Sequence, residues 1–189
     1  MKSIRPLFLV FLFFPDLFYP NMACGNNRWN QRIDSLKKVY PLKENDSARA
    51  NVLNDIGASY IETGYYDTAL IYIWKAIHLA EKTGYTKKLG IYYSNLGNIF
   101  YYKGEYDTSL AYQFKGLKLK EQFGDKYDLA ISNQNIGLVY EFWGQYQKAL
   151  EYYLKSLKNA EDCGDSTPYG SFPSRHGVNS LSFSSSVHA

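Results

Sequence analysis

The chain is poor in the residues that build most metal and redox sites. Its 189 residues include only two cysteines and three histidines. Cys24 and Cys163 stand near opposite ends of the sequence, with no CxxC and no metal-ligand spacing. His78, His176 and His188 form no ligand pair. No metal and no cofactor is therefore expected. There is no Gly-x-Ser-x-Gly elbow. The glycines recur singly instead of clustering between a strand and a helix, which argues against a phosphate loop. No catalytic residue emerges, and the chain reads as a non-enzyme. A dominant charge sign is lacking too: 21 basic and 18 acidic residues leave +3. Without a clustered basic stripe, that balance argues against a nucleic-acid partner.

A long hydrophobic run is also lacking. The apolar stretch Leu7 to Phe14 covers eight residues, whereas spanning a bilayer takes about 20. Lys2 and Arg5 precede it, and Pro15 and Asp16 interrupt it. That order fits the basic and apolar regions of a secretory signal. Ala23, Cys24 and Gly25 supply small residues for cleavage. Residues 1–25 are thus read as a signal peptide or an N-terminal membrane anchor. The expected localisation is exported, periplasmic or membrane-associated. Met22-Ala23-Cys24-Gly25 also resembles a lipoprotein processing site, with Asn21 where a Leu is usual.

What the chain does have is apolar and aromatic surface. Hydrophobic residues make up 46% and charged residues 21%, enough to drive folding. Aromatics reach 17%, with 19 tyrosines. A tyrosine ring packs while its hydroxyl reaches water or a partner, so it suits half-buried positions. So many of them point to a thin structure with much half-buried surface, such as a solenoid.

The sequence repeats itself at a step of 40. Gly57, Gly97 and Gly137 keep that spacing, as do Gly64, Gly104 and Gly144, and Gly84, Gly124 and Gly164. Tyr66, Tyr106 and Tyr146 follow it, with Leu70, Leu110 and Leu150, and Lys75, Lys115 and Lys155. Tyr60, Phe100 and Tyr140 keep an aromatic in one column. Such a register marks a repeat architecture.

Each unit reads as two helices. In the third, Leu129, Asn133, Ile136, Gly137 and Tyr140 mark one face at three- and four-residue steps. Gly144 punctuates, because a glycine past a helix end takes positive φ without a Cβ penalty. Ala149, Leu150, Tyr153, Ser156 and Leu157 then mark a second helix. Gly57, Gly97 and Gly137 fall inside the first helices, where Gly costs about 1 kcal/mol relative to Ala. Close approach of the paired helix is the expected reason. Ala69, Ser109 and Ala149 are the small residues expected to face them.

Leu96-Gly97, Phe100, Gly104, Tyr106, Leu110 and their counterparts resemble the tetratricopeptide repeat. The usual unit has 34 residues; this one has 40, a longer variant. Ser109 and Gly116 stand where alanines are usual, and Asn133 where a large apolar residue is common. The resemblance implies an all-α, right-handed α-solenoid. It covers residues 46–165 as three units, about 46–85, 86–125 and 126–165. Residues 30–45 read as a capping helix in front. The pattern is similar to the exported sensor regions of bacterial histidine kinases and transcriptional regulators.

In this family the first helices line a concave groove that holds a protein or peptide. Carried over, the groove positions include Asn54, Ile61 and Glu62, then Asn98, Tyr101 and Tyr102, then Gln134, Glu141 and Phe142. Tyr101, Tyr102 and Phe142 form the expected hot spot, against the alternative that they pack between units. The set has almost no cation, unlike the Lys and Arg clamps that hold a terminal carboxylate. The implied function is an interaction module, the sensory part of a signalling protein; the alternative is a free-standing exported scaffold or lipoprotein.

Past Asp165 the register fails. Pro168, Gly170, Pro173 and the serine run Ser184-Ser185-Ser186 argue for a disordered tail over 166–189. The abrupt change reads as a truncation or frameshift, leaving the second helix of the third unit with an uncovered apolar face.

Overall fold

The structure is a computed structural model that describes residues 20–122 and 126–162, with side chains from residue 27. Residues 1–19, Gly124, Cys163, Gly164, His176, His188 and residues 166–189 lie outside the described residues. The elements in order are α1 (Pro20–Val39), α2 (Asp46–Glu62), α3 (Tyr66–Lys82), α4 (Leu89–Tyr102), α5 (Tyr106–Glu121), α6 (Lys126–Phe142) and α7 (Tyr146–Asp162). Among the described residues there is no strand.

The front helix differs from the expected 30–45 span. It starts at Pro20, so the Ala23-Cys24-Gly25 triplet lies in its first turns, and it stops at Val39. The early part was invisible because residues 20–28 carry no apolar period. The early stop has a covalent cause. Pro41 has no N–H to continue the ladder, so Tyr40–Leu42 tightens into a 3-10 turn. There the Lys43 N–H donates to the Tyr40 carbonyl at 3.3 Å. Asn45 then caps α2, its side chain accepting from the Ala48 N–H at 2.7 Å. Ile33, Leu36 and Tyr40 lie against Val52 and Ile56 of α2, so α1 covers that end of the stack.

The next six helices pair as α2 with α3, α4 with α5 and α6 with α7. Each pair is joined through one glycine with positive φ: Gly64 at 79°, Gly104 at 78° and Gly144 at 78°. The closing bonds recur with them. The N–H of the residue after the glycine reaches back five positions, Tyr65 to Tyr60 at 3.0 Å, Glu105 to Phe100 at 2.9 Å and Gln145 to Tyr140 at 2.8 Å. Otherwise unpaired terminal carbonyls are satisfied this way, and only a residue free of Cβ strain fits the left-handed position.

Inside each pair the mid-helix glycines permit close contact, but their neighbours differ from the expected small residues. A Cβ on Gly57 would sit 2.6 Å from Ile73 Cγ1, on Gly97 2.7 Å from Gln113 Cγ, and on Gly137 2.6 Å from Tyr153 Cε1. These side chains lie one turn beyond Ala69, Ser109 and Ala149. The small residues are buried in the same contact; Ser109 Oγ donates to the Gly97 carbonyl at 2.7 Å. They let the helices close, and the larger residue one turn on fills the space over the glycine. Gly116 also has a reason to depart from Ala. Its Cβ would lie 2.7 Å from the Gly90 carbonyl oxygen, so two backbones meet there directly.

Between pairs, the second helix of one unit is covered by the first helix of the next. Ala76, Ile77 and Ala80 of α3 join Leu89, Tyr92 and Leu96 of α4 in one core. Leu110 of α5 joins Ile136, Val139 and Tyr140 of α6 in another. The second junction has a polar seam: the buried Lys120 ammonium donates to Ser94 Oγ at 3.0 Å and to Ser132 Oγ at 2.8 Å. The backbones of α2 and α4, and of α4 and α6, approach each other, whereas those of α3 and α5, and of α5 and α7, do not. The first helices therefore form the inner side of a curved stack.

Gly97→Leu is expected to overpack the Gln113 contact and lower unfolding free energy by about 1–3 kcal/mol. Gly116→Ala should show a loss of the same sign, because carbonyl oxygen cannot move aside as a side chain can. Urea unfolding of both variants checks this; unchanged midpoints would contradict the close approach.

Candidate functional site

The inner side is built from columns at a helical period. Asn51, Asp55, Ala58 and Glu62 recur on α2 at steps of four, three and four, and all are half-buried. Ile91, Asn98 and Tyr102 occupy the same columns on α4, where Asn95 is buried, and Ile131, Asn135, Leu138 and Phe142 do so on α6. The columns recur over the three helices because the repeat step preserves the phase.

The groove residues expected from the sequence divide into two groups. Ile61 is 1% exposed and belongs to the core, and Asn54 is 5% exposed. Neither lines an open surface. Asn54 instead ties two units together, its Oδ1 accepting from Asn95 Nδ2 at 2.8 Å. The carried-over register was one residue off for these positions. Stepping from Asn51 by four finds Asp55, which the sequence reading missed. Glu62, Asn98, Gln134, Glu141 and Phe142 do lie on accessible or half-buried ground. Asn98 Oδ1 accepts from Gln113 Nε2 at 2.8 Å, which fixes its amide. Glu141 accepts from the Tyr153 hydroxyl.

Tyr101, Tyr102 and Phe142 do come together. Tyr101 meets Tyr102 edge-on at 5.0 Å between ring centroids and Phe142 at 5.3 Å. Tyr102 also stacks on Tyr66 of the preceding unit at 5.5 Å. All three rings thus meet a ring of a neighbouring unit. Phe142 remains 61% exposed at the edge of the cluster. Burial pushes the Tyr101 hydroxyl up to about 12, with neighbouring Tyr102 and Tyr106 adding to it. It stays a neutral hydrogen-bonding group at any physiological pH.

A polar cluster occupies the other end of the face. Tyr92 donates to Asn51 Oδ1 at 2.6 Å. Asp55 is held above the usual carboxylate range, chiefly by burial, against the pull of Arg32, the Asn54 amide and Lys88. α4 carries no charged residue at all. Asp55 and Glu62 are the acids of these inner columns, with Arg32 and Lys88 beside Asp55. Among the described residues no group of three His, Cys, Asp or Glu is placed to hold a metal. No described helix is long and apolar enough to cross a membrane.

The tetratricopeptide repeat family model matches residues 88–162, which are α4 to α7. Over that stretch the repeats are of the tetratricopeptide type. Among solved structures, one titled "Crystal structure of MamA" is 25% identical, with 72% of this chain and 71% of that one aligned at a TM-score of 0.54. A second MamA structure is also 25% identical, at 74% and 68% coverage and a TM-score of 0.52. The structure of BtubC (BKLC) from P. vanneervenii is 13% identical, with 77% of this chain and 59% of that one aligned at a TM-score of 0.58. That last likeness concerns the fold alone. No curated protein matches the chain. Tetratricopeptide repeats mark a protein–protein interaction scaffold.

Two substitutions separate packing from display. Tyr102→Ala removes the stack on Tyr66 and should destabilise by about 1–3 kcal/mol, whereas Phe142→Ala should shift the urea midpoint little. Asp55→Asn makes a sharper case. A carboxyl with raised pKa binds its proton more tightly folded than unfolded. Wild-type stability therefore falls as pH rises from the unfolded value through the folded one. Asp55→Asn should abolish that fall and be at least as stable at pH 7. A less stable variant at pH 7 would show that the carboxylate is structurally required.

Proposed function

We propose that the protein holds a segment of a partner polypeptide along the inner side of α2, α4 and α6, on the exported side of a bacterial cell, as the sensing part of a signal-transduction system. The observation that carries the binding reading is the run of half-buried and exposed positions in shared columns of three helices. It has a partly desolvated acid, Asp55, at one end and an exposed aromatic, Phe142, at the other. An acid held at a cost in stability on an open face is what recognition of a cationic or amide-rich segment uses. An exposed aromatic beside two ordered tyrosines gives an apolar side chain a rigid seat at low entropic cost. The partner chemistry is therefore a segment with basic or amide side chains followed by an apolar one. The export part of the reading is supported by Lys2, Arg5 and the apolar run from Leu7 to Phe14.

The test uses the full chain, tagged at its C-terminus and produced in a bacterial host. The chain is expected outside the inner membrane, and Phe11→Arg in the apolar run should retain it inside. Export that survives Phe11→Arg would contradict the leader reading. For binding, a partner captured by the wild-type chain should be lost about tenfold or more with Phe142→Ala, and weakened by Asp55→Asn. Capture unaffected by both variants would place binding elsewhere.

A further inference from the structure

The columns that receive the next unit have a last member with nothing over it among the described residues. Tyr66 and Leu70 of α3 are half-buried under α4, and Tyr106 and Leu110 of α5 are covered by α6, which leaves Leu110 7% exposed. The same columns on α7 hold Tyr146 and Leu150, which are 71% and 59% exposed, and Leu154 one turn further on is 56% exposed. They recur at four-residue steps, so they form one stripe along the helix. Among the described residues nothing covers it.

We propose that this stripe is a self-association surface, occupied by α7 of a second copy of this chain in an antiparallel, two-fold pair. The stripe continues the chemistry of an interface used twice inside the molecule, so its complement is another helix with an apolar face. The two ends of the stack differ in what a copy could offer. At the front, α1 turns Ile33 inward and leaves Arg28, Gln31, Ser35 and Lys38 exposed. Head-to-tail stacking would press a polar helix onto the bare stripe. Among the described residues, α7 against α7 brings two apolar stripes together, and such an isologous contact closes on itself.

The margin of the stripe is self-complementary in charge. Glu151 and Lys158 are both exposed and two helical turns apart on the same side of Leu154. In an antiparallel pair with its two-fold axis near Leu154, like margins meet. Each Glu151 then falls beside the partner subunit's Lys158, twice per dimer. A pair of single helices is small for a stable interface, so the dimer is expected at micromolar concentrations.

Sedimentation equilibrium of the full chain, from about 1 to 100 µM, tests this. The wild type should pass from monomer to dimer and no further. Leu150→Glu and Leu154→Glu, at exposed positions, should remain monomeric with unchanged helical content and melting temperature. Glu151→Lys and Lys158→Glu should each weaken the dimer about three- to tenfold, and the two combined in one chain should restore it. A wild type that stays monomeric throughout, an open-ended polymer, a dimer that survives both Leu substitutions, or a charge exchange without rescue would each overturn the proposal.

Discussion

A single helix pair of this kind cannot bury both of its faces. The inner contact closes over Gly57, Gly97 or Gly137, but the outer columns of the second helix stay bare until another helix lies on them. Most other features follow from that dependence. Leu110 is 7% exposed where α6 lies over it, whereas Leu150, its counterpart on α7, is 59% exposed. α1 plays the complementary part at the front, where Ile33 and Leu36 close over Val52 and Ile56. At the far end the columns of Tyr106 and Leu110 reach Tyr146 and Leu150 without a described cover.

The junctions are not equal. The first is aromatic and aliphatic, whereas the second is crossed by Lys120 with its hydroxyl acceptors on α4 and α6. Gly90 and Gly116 belong to the same arrangement: two bare backbones in contact leave a corridor for the lysine chain, whose Cγ would be 2.7 Å from a Cβ at residue 90. In the third unit the equivalent place is spanned by a hydroxyl, Ser156 Oγ donating to the Ala130 carbonyl at 2.8 Å. The repeat thus keeps its helix spacing while the chemistry at one point changes from methyl to glycine to serine.

Fold class was legible in the sequence because glycine at forty-residue steps reports backbone geometry directly. Positive φ at Gly64, Gly104 and Gly144 leaves little choice of residue. The candidate site was legible only in part. Tyr101, Tyr102 and Phe142 were found because aromatics are conspicuous, but that Tyr102 stacks on Tyr66 depends on how units are set against each other. Asn54 and Ile61 were misplaced onto the surface because one residue of phase decides between core and groove on a helix. Asp55 was missed for the same reason. The true extent of α1 was hidden because its early residues lack an apolar period.

Cohesion by nearest neighbours has a direct observable in amide hydrogen exchange of the full chain at submicromolar concentration, where self-association is absent. Protection should be greatest in α4 and α5, which have a neighbour on both sides, and should fall away through α6 to a minimum in α7. Uniform protection across all helices, or an α7 as slow to exchange as α4, would contradict the account.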